Sequence, residues 1–178
     1  MKKKLIFMGI ALSAMASSVM ADTLSVTAGV SHLSVDDTPF TANTAYAGVG
    51  YEIDVLDTKF SLMPEFRYAI GLDDETFLTQ TPSGVFETKI EVERAYMFSL
   101  RGNYQITQNV GLFVQPTYSA IKVEVTTKDA MLSGKSENSE WGAGVGFDYD
   151  FDAKSSVELV YEQFGDSDSV SLGYRFKF

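Results

Sequence analysis

The stretch Val170-Ser171-Leu172-Gly173-Tyr174-Arg175-Phe176-Lys177-Phe178 decides the fold. Val170, Leu172, Tyr174, Phe176 and Phe178 occupy every second position, and Ser171, Gly173, Arg175 and Lys177 fill the places between. A strand alternates its side chains between two faces, whereas a helix of this length would mix the two sets. Upstream, Trp141, Ala143, Val145, Phe147, Tyr149 and Phe151 oppose Gly142, Gly144, Gly146, Asp148 and Asp150. Val157, Leu159 and Tyr161 oppose Glu158 and Glu162, with Val160 an apolar exception on the polar side.

The same period runs back to the start of the mature chain. Leu24, Val26, Ala28 and Val30 face away from Ser25, Thr27, Gly29 and Ser31, and Ala47, Val49, Tyr51 and Ile53 from Gly48, Gly50, Glu52 and Asp54. A third strand sets Leu62, Pro64, Phe66, Tyr68 and Ile70 against Ser61, Met63, Glu65, Arg67 and Ala69. Two noisier ones follow at Tyr96 to Arg101 and Leu112 to Ser119. Eight strands are predicted, joined by short turns near Asp54 to Asp57, Gln105 to Asn109 and Asp152 to Ser155. At the other end the connections are long, at Ser34 to Asn43, Gly71 to Thr88 and Thr126 to Asn138, with a tight fourth at Gly165 to Asp168. Pro64 and Pro116 fall mid-strand, where each removes a ladder donor, so a bulge or a locally lost bond is expected at each.

Residues 1–21 read separately. Lys2, Lys3 and Lys4 precede an apolar run from Leu5 to Ala16, and Val19-Met20-Ala21 has the small residues of a cleavage site. A signal peptide over 1–21 and one domain over 22–178 are expected. Of 178 residues, 14 are Lys or Arg and 24 Asp or Glu, a net charge of −10; cleavage would leave 11 against 24, or −13. That balance argues against nucleic acid as a partner, because binding it needs a basic face. The chain has no cysteine, which excludes disulfides, thiolate catalysis and cysteine metal sites.

An alternating barrel could be water-soluble with its apolar face inside, or membrane-spanning with that face outside. The charges among the glycines and serines of the opposite face, and the alternation of long and short connections, favour lipid outside. So does depth: Tyr68, Tyr96, Tyr118 and Trp141 fall at one level, and Tyr51, Tyr104, Tyr149, Phe151, Phe176 and Phe178 at the other, as two aromatic girdles would. In hydrocarbon an unpaired backbone group costs several kcal/mol, so the sheet has to close. The expected fold class is an all-β, eight-stranded antiparallel up-and-down transmembrane barrel.

With its signal segment, eight strands and terminal Tyr174-Arg175-Phe176-Lys177-Phe178, the chain resembles the small outer-membrane barrels of the OmpA/OmpX type over its whole mature length. The resemblance implies a stand-alone, monomeric barrel in the outer membrane, with outer-membrane lipid and lipopolysaccharide as neighbours. It also implies that Val170, Leu172, Tyr174, Phe176 and Phe178 act as the signal read by the barrel-assembly machinery, with periplasmic chaperones attending biogenesis. Activities within that family differ and do not transfer by fold.

Glu65, Arg67, Glu91, Glu93, Arg101, Glu158, Glu162, Arg175 and Lys177 share the inward phase and are expected to form an ion-pair network filling the lumen, since buried charges persist only when paired. Arg94 and Lys122 share the outward phase of Tyr96 and Tyr118, placing two cations at headgroup level where lipopolysaccharide phosphates could be held. His32 is the sole histidine, near the outer end of the first strand, and no motif selects a serine partner for it. The acidic runs Asp36-Asp37 and Asp73-Asp74-Glu75 lack EF-hand spacing. No catalytic residue, cofactor site or metal site is expected. The favoured reading is a non-enzymatic barrel serving envelope integrity or surface contact; a narrow channel and a lipid-modifying enzyme are the alternatives.

Overall fold

In the computed structural model the alternating segments become strands, and no helix occurs among the described residues, which are 23–36, 38, 40–55, 59–81, 84–127 and 134–178. The expected signal peptide lies outside them. The strands are β1 (Thr23–Val35), β2 (Thr41–Asp54), β3 (Phe60–Gly71), β4 (Asp74–Thr81), β5 (Gly84–Gln105), β6 (Val110–Thr127), β7 (Gly134–Asp150), β8 (Ser155–Phe164) and β9 (Ser167–Lys177). They pair antiparallel in the order β3-β2-β1-β9-β8-β7-β6-β5-β4, and β3 also pairs with β5. That last pairing passes β4 by and closes an eight-stranded barrel, as the alternation predicts.

Both prolines mark lapses in the ladder. Between the Gly50↔Glu65 and Ile53↔Leu62 pairs of β2 and β3 the pairing is interrupted opposite Pro64, with no change of register. Between Ser99↔Thr117 and Gly102↔Val114 of β5 and β6 it is interrupted opposite Pro116. On their other sides the same prolines stay in register, with Leu100 and Ala143 respectively. The expected local loss of a bond is what occurs, and neither proline makes a bulge.

Two expected loops are largely strand. Within Gly71 to Thr88, β4 pairs with the start of β5 from Asp74↔Glu91 to Thr81↔Gly84. The segment Thr76-Phe77-Leu78 and the segment Val85-Phe86 flank Thr-Pro-Ser-Gly, the chemistry of a hairpin, and that signal outweighs the polar loop reading. Within Thr126 to Asn138, β6 and β7 stay paired out to Val125↔Gly134. A sheet of β4, β5, β6 and β7 therefore projects beyond the barrel wall. Where it leaves the wall, β5 carries a bulge: Val92 pairs with Val123 and Arg94 with Lys122, leaving Glu93 extra. A one-residue insertion reverses every side chain beyond it.

Two of the three predicted short turns fall at 106–109 and 151–154, the third, near Asp54 to Asp57, runs into residues outside the described ones, and at the opposite end Gly165 adopts φ 50° in the tight turn between β8 and β9. Phe66, Phe98, Leu112, Val114, Val145, Phe147, Leu172 and Tyr174 are exposed on the convex wall. The two aromatic levels are present. Tyr68 and Tyr96 are 5.2 Å apart and Tyr118 and Trp141 5.3 Å at one level; Tyr149 and Phe151 are 5.4 Å apart and Phe176 and Phe178 5.3 Å at the other. Val160, the apolar exception, is buried inside opposite Ser171.

Candidate functional site

Six charged side chains fill the middle of the lumen. Glu65 and Arg67 come from β3, Arg101 from β5, Glu158 and Glu162 from β8 and Arg175 from β9, and none is more than 3% exposed. Inward phase brings each to the axis, and a barrel of eight strands has an interior just wide enough for side chains to fill. Arg67 clasps Glu162 through two bonds, of 2.7 and 3.0 Å. Glu162 also accepts from Gln115 Nε2 at 2.7 Å and Thr117 Oγ1 at 2.9 Å.

The other four form a ring. Arg101 donates to Glu158 at 2.7 Å and to Glu65 at 3.2 Å, and Arg175 donates to Glu65 at 2.6 Å and to Glu158 at 3.1 Å. Arg101 Nε reaches Gln115 at 3.1 Å, and its guanidinium lies 3.8 Å from the Phe113 ring centroid. Three positive and three negative charges cancel. Burying an ion costs several kcal/mol, which only such dense pairing offsets.

Of nine expected members, the structure brings these six together. Lys177 belongs to a separate, half-buried group at the short-turn mouth, 3.4 Å from Glu52 and 3.8 Å from Asp150. Glu91 and Glu93 are not in the lumen. The bulge turns Glu91 outward beside Lys89 at 3.2 Å, and leaves Glu93 among Lys135 at 3.1 Å, Lys122 at 3.3 Å and Arg94 at 3.7 Å. Gln115 and Thr117 were missed as members, although their inward phase was legible; neutral amides and hydroxyls give no charge signal to follow.

Arg94 and Lys122 are cross-strand partners on the outer face, and Arg94 lies 5.8 Å from the centroid of the Tyr96 ring. Lys135 also bonds Glu124 at 2.6 Å. Donation by Lys135, then by Lys122, holds the Glu93 carboxyl below the usual carboxylate range, and bonds to Glu124 and Glu93 raise Lys135. At the rim, His32 Nδ1 lies 2.9 Å from Asn43 Oδ1, and the Asn43 backbone N–H donates to Asp73 at 2.9 Å. That backbone bond and one from the Asn43 side chain hold Asp73 below its ordinary range. Asp74 pairs with Lys89 at 3.3 Å and Glu75 accepts from Thr41 at 2.6 Å, so this acidic run fastens the start of the hairpin.

The sequence matches the family model described as "Outer membrane protein beta-barrel domain" over residues 5–176. The chain belongs to that family. Among solved structures, Ail, the attachment invasion locus protein of Yersinia pestis, superposes with a TM-score of 0.58 at 12% identity, covering 88% of this chain and 97% of that one. Neisserial surface protein A gives 0.56 at 13% identity, covering 91% and 100%. At such identities the likeness is one of fold. No curated sequence matches the chain significantly. As an outer-membrane β-barrel the protein has its convex wall against lipid; barrels of this kind keep short turns in the periplasm and longer connections outside the cell.

Proposed function

We propose that this outer-membrane barrel is a non-conducting, non-enzymatic wall element that contributes to envelope integrity and holds its projecting sheet out for surface contact. One observation carries the reading: six interlocked charges obstruct the middle of the lumen. Between them and the periplasmic mouth the cavity lined by Met63, Arg101, Glu158 and Arg175 measures about 20 Å³, room for a single water. A non-enzymatic role is further supported by His32, whose hydrogen-bond partner is Asn43 rather than a serine. Purified protein in planar bilayers is expected to give no unitary conductance steps, and stable steps would overturn the reading.

The outer face supports a contact with lipopolysaccharide. Arg94, Lys122 and Lys135 stand among Glu93 and Glu124 just beyond the outer aromatic level, where their N–H donors meet the height of fixed phosphates. An Arg94→Ala/Lys122→Ala protein is expected to retain less lipopolysaccharide on purification, and unchanged retention would dismiss the contact. Ail has also been crystallised with the heparin analogue sucrose octasulfate. A net charge of −10 argues against an equivalent polyanion here.

A further inference from the structure

Above the buried charges the lumen changes character. Tyr46, Ala69 and Ala95, with Met97 and Ile121 against them, make an apolar layer, and Ile121 alone of them is presented upward as a floor. Over it opens a cup of about 270 Å³, walled by Leu33, Phe40, Val92, Val123 and Phe164. This part of the wall stands beyond the outer aromatic level, so its apolar residues turn inward from water, and the concavity they leave open to the outside is an apolar pocket with room for an occupant. It exceeds the engineered cavity of about 150 Å³ known to hold benzene.

The charge around the cup has one sign. Glu140 and Asp166 line it, and no Lys or Arg does among the described residues. Glu140 is positioned from two sides: Asn138 Nδ2 donates to it, and it lies over the Gly165 turn so closely that a Cβ there would meet its oxygen at 3.0 Å. The nearest cations on the same strands, Arg94, Lys122 and Lys135, bond Glu93 and Glu124 on the opposite face of the sheet. An anion would be repelled, and a neutral apolar molecule would leave the acids unused.

We propose that the extracellular cup binds a small organic cation, with an aromatic or branched alkyl body seated on the floor and its ammonium between Glu140 and Asp166. The test uses the full barrel refolded in a non-ionic detergent, with benzyltrimethylammonium as ligand and neopentylbenzene as its uncharged isostere, followed by saturation-transfer NMR. The cation is expected to bind on the order of tenfold more tightly than the isostere. Glu140→Gln/Asp166→Asn should erase that preference while leaving the isostere unaffected. Ser136→Trp, which fills the cup from an exposed position on β7, should abolish binding of both. Equal affinity of the two ligands for the unaltered protein would identify a pocket for lipid or detergent tails and overturn the proposal. Failure of the cation to bind, or unchanged binding to folded Ser136→Trp, would overturn it as well. The acid substitutions lie at the rim, so they decide the question even if Ser136→Trp fails to fold.

Discussion

Arg67→Met should destabilise the barrel by about 3–5 kcal/mol, because it leaves Glu162 charged, 1% exposed and without its cation. The lower end is expected, since Gln115 and Thr117 still donate to that carboxylate at 2.7 and 2.9 Å. Glu162→Met should cost as much or more: Arg67 keeps no acid within salt-bridge distance among the described residues, its single ion pair being the one to Glu162. Replacing both removes the charge altogether and leaves only the Gln115 amide and Thr117 hydroxyl to be satisfied, a cost of about 1–3 kcal/mol. The double-mutant cycle should then show a coupling on the order of 3 kcal/mol. Urea titration in phospholipid vesicles measures it, with Trp141 as reporter: it is the sole tryptophan, on the lipid-facing wall 5.3 Å from Tyr118. Additive costs, with coupling below about 0.5 kcal/mol, would refute the view that the lumen is held by charge pairing rather than by volume.

Tyr46 carries a buried hydroxyl with no hydrogen-bond partner, so Tyr46→Phe should be neutral or stabilising by about 1 kcal/mol in the same titration. That hydroxyl sits where Gly173 would place a Cβ, so Gly173→Ala should be destabilising with Tyr46 present and better tolerated when combined with Tyr46→Phe. The projecting sheet should respond to pH at both ends of the scale. Glu93 is depressed, so its contribution is complete above the ordinary glutamate value of about 4.3 and disappears as pH falls further. Lys135 is raised, so its contribution is complete below about 10.4 and disappears as pH rises beyond it. Hydrogen-exchange protection at Lys89–Arg94 and Lys122–Val125 should drop in both windows while the barrel wall stays protected, and a flat profile would contradict the assignment.

The period of two made the barrel legible, because lipid outside and a filled lumen inside impose opposite chemistry on successive residues. The same rule failed at Glu91 and Glu93. Carried back from Arg101 through Ser99 and Met97, it places both acids inside, and Ile90 and Val92 on the lipid wall. Beyond the outer aromatic level, however, the surroundings are water, and the preference reverses: Val92, Ile121 and Val123 turn inward to the cup, and Arg94, Lys122 and Glu124 turn out. The bulge at Glu93 performs that reversal on β5. A single inserted residue leaves no mark in an alternating pattern, and the acids on either side of Val92 fit both phases equally well. The cup was likewise invisible, since its walls come from six strands that only closure brings together.

The bare inner surface of β7 fixes how its neighbours may slide. A Cβ at Gly146 would collide with the Phe113 ring, one at Gly142 with Phe164, and one at Gly144 with Glu162. Each large group thus keys into an absence on the facing strand. Slipping β7 by two residues against β6 preserves the pleat, but it sets Phe113 against Asp148 or against the space already taken at Gly144. Mispairings that the hydrophobic pattern alone would permit therefore meet a steric penalty, and alignment is checked by a strand that is bare at three successive inner positions, Gly142, Gly144 and Gly146.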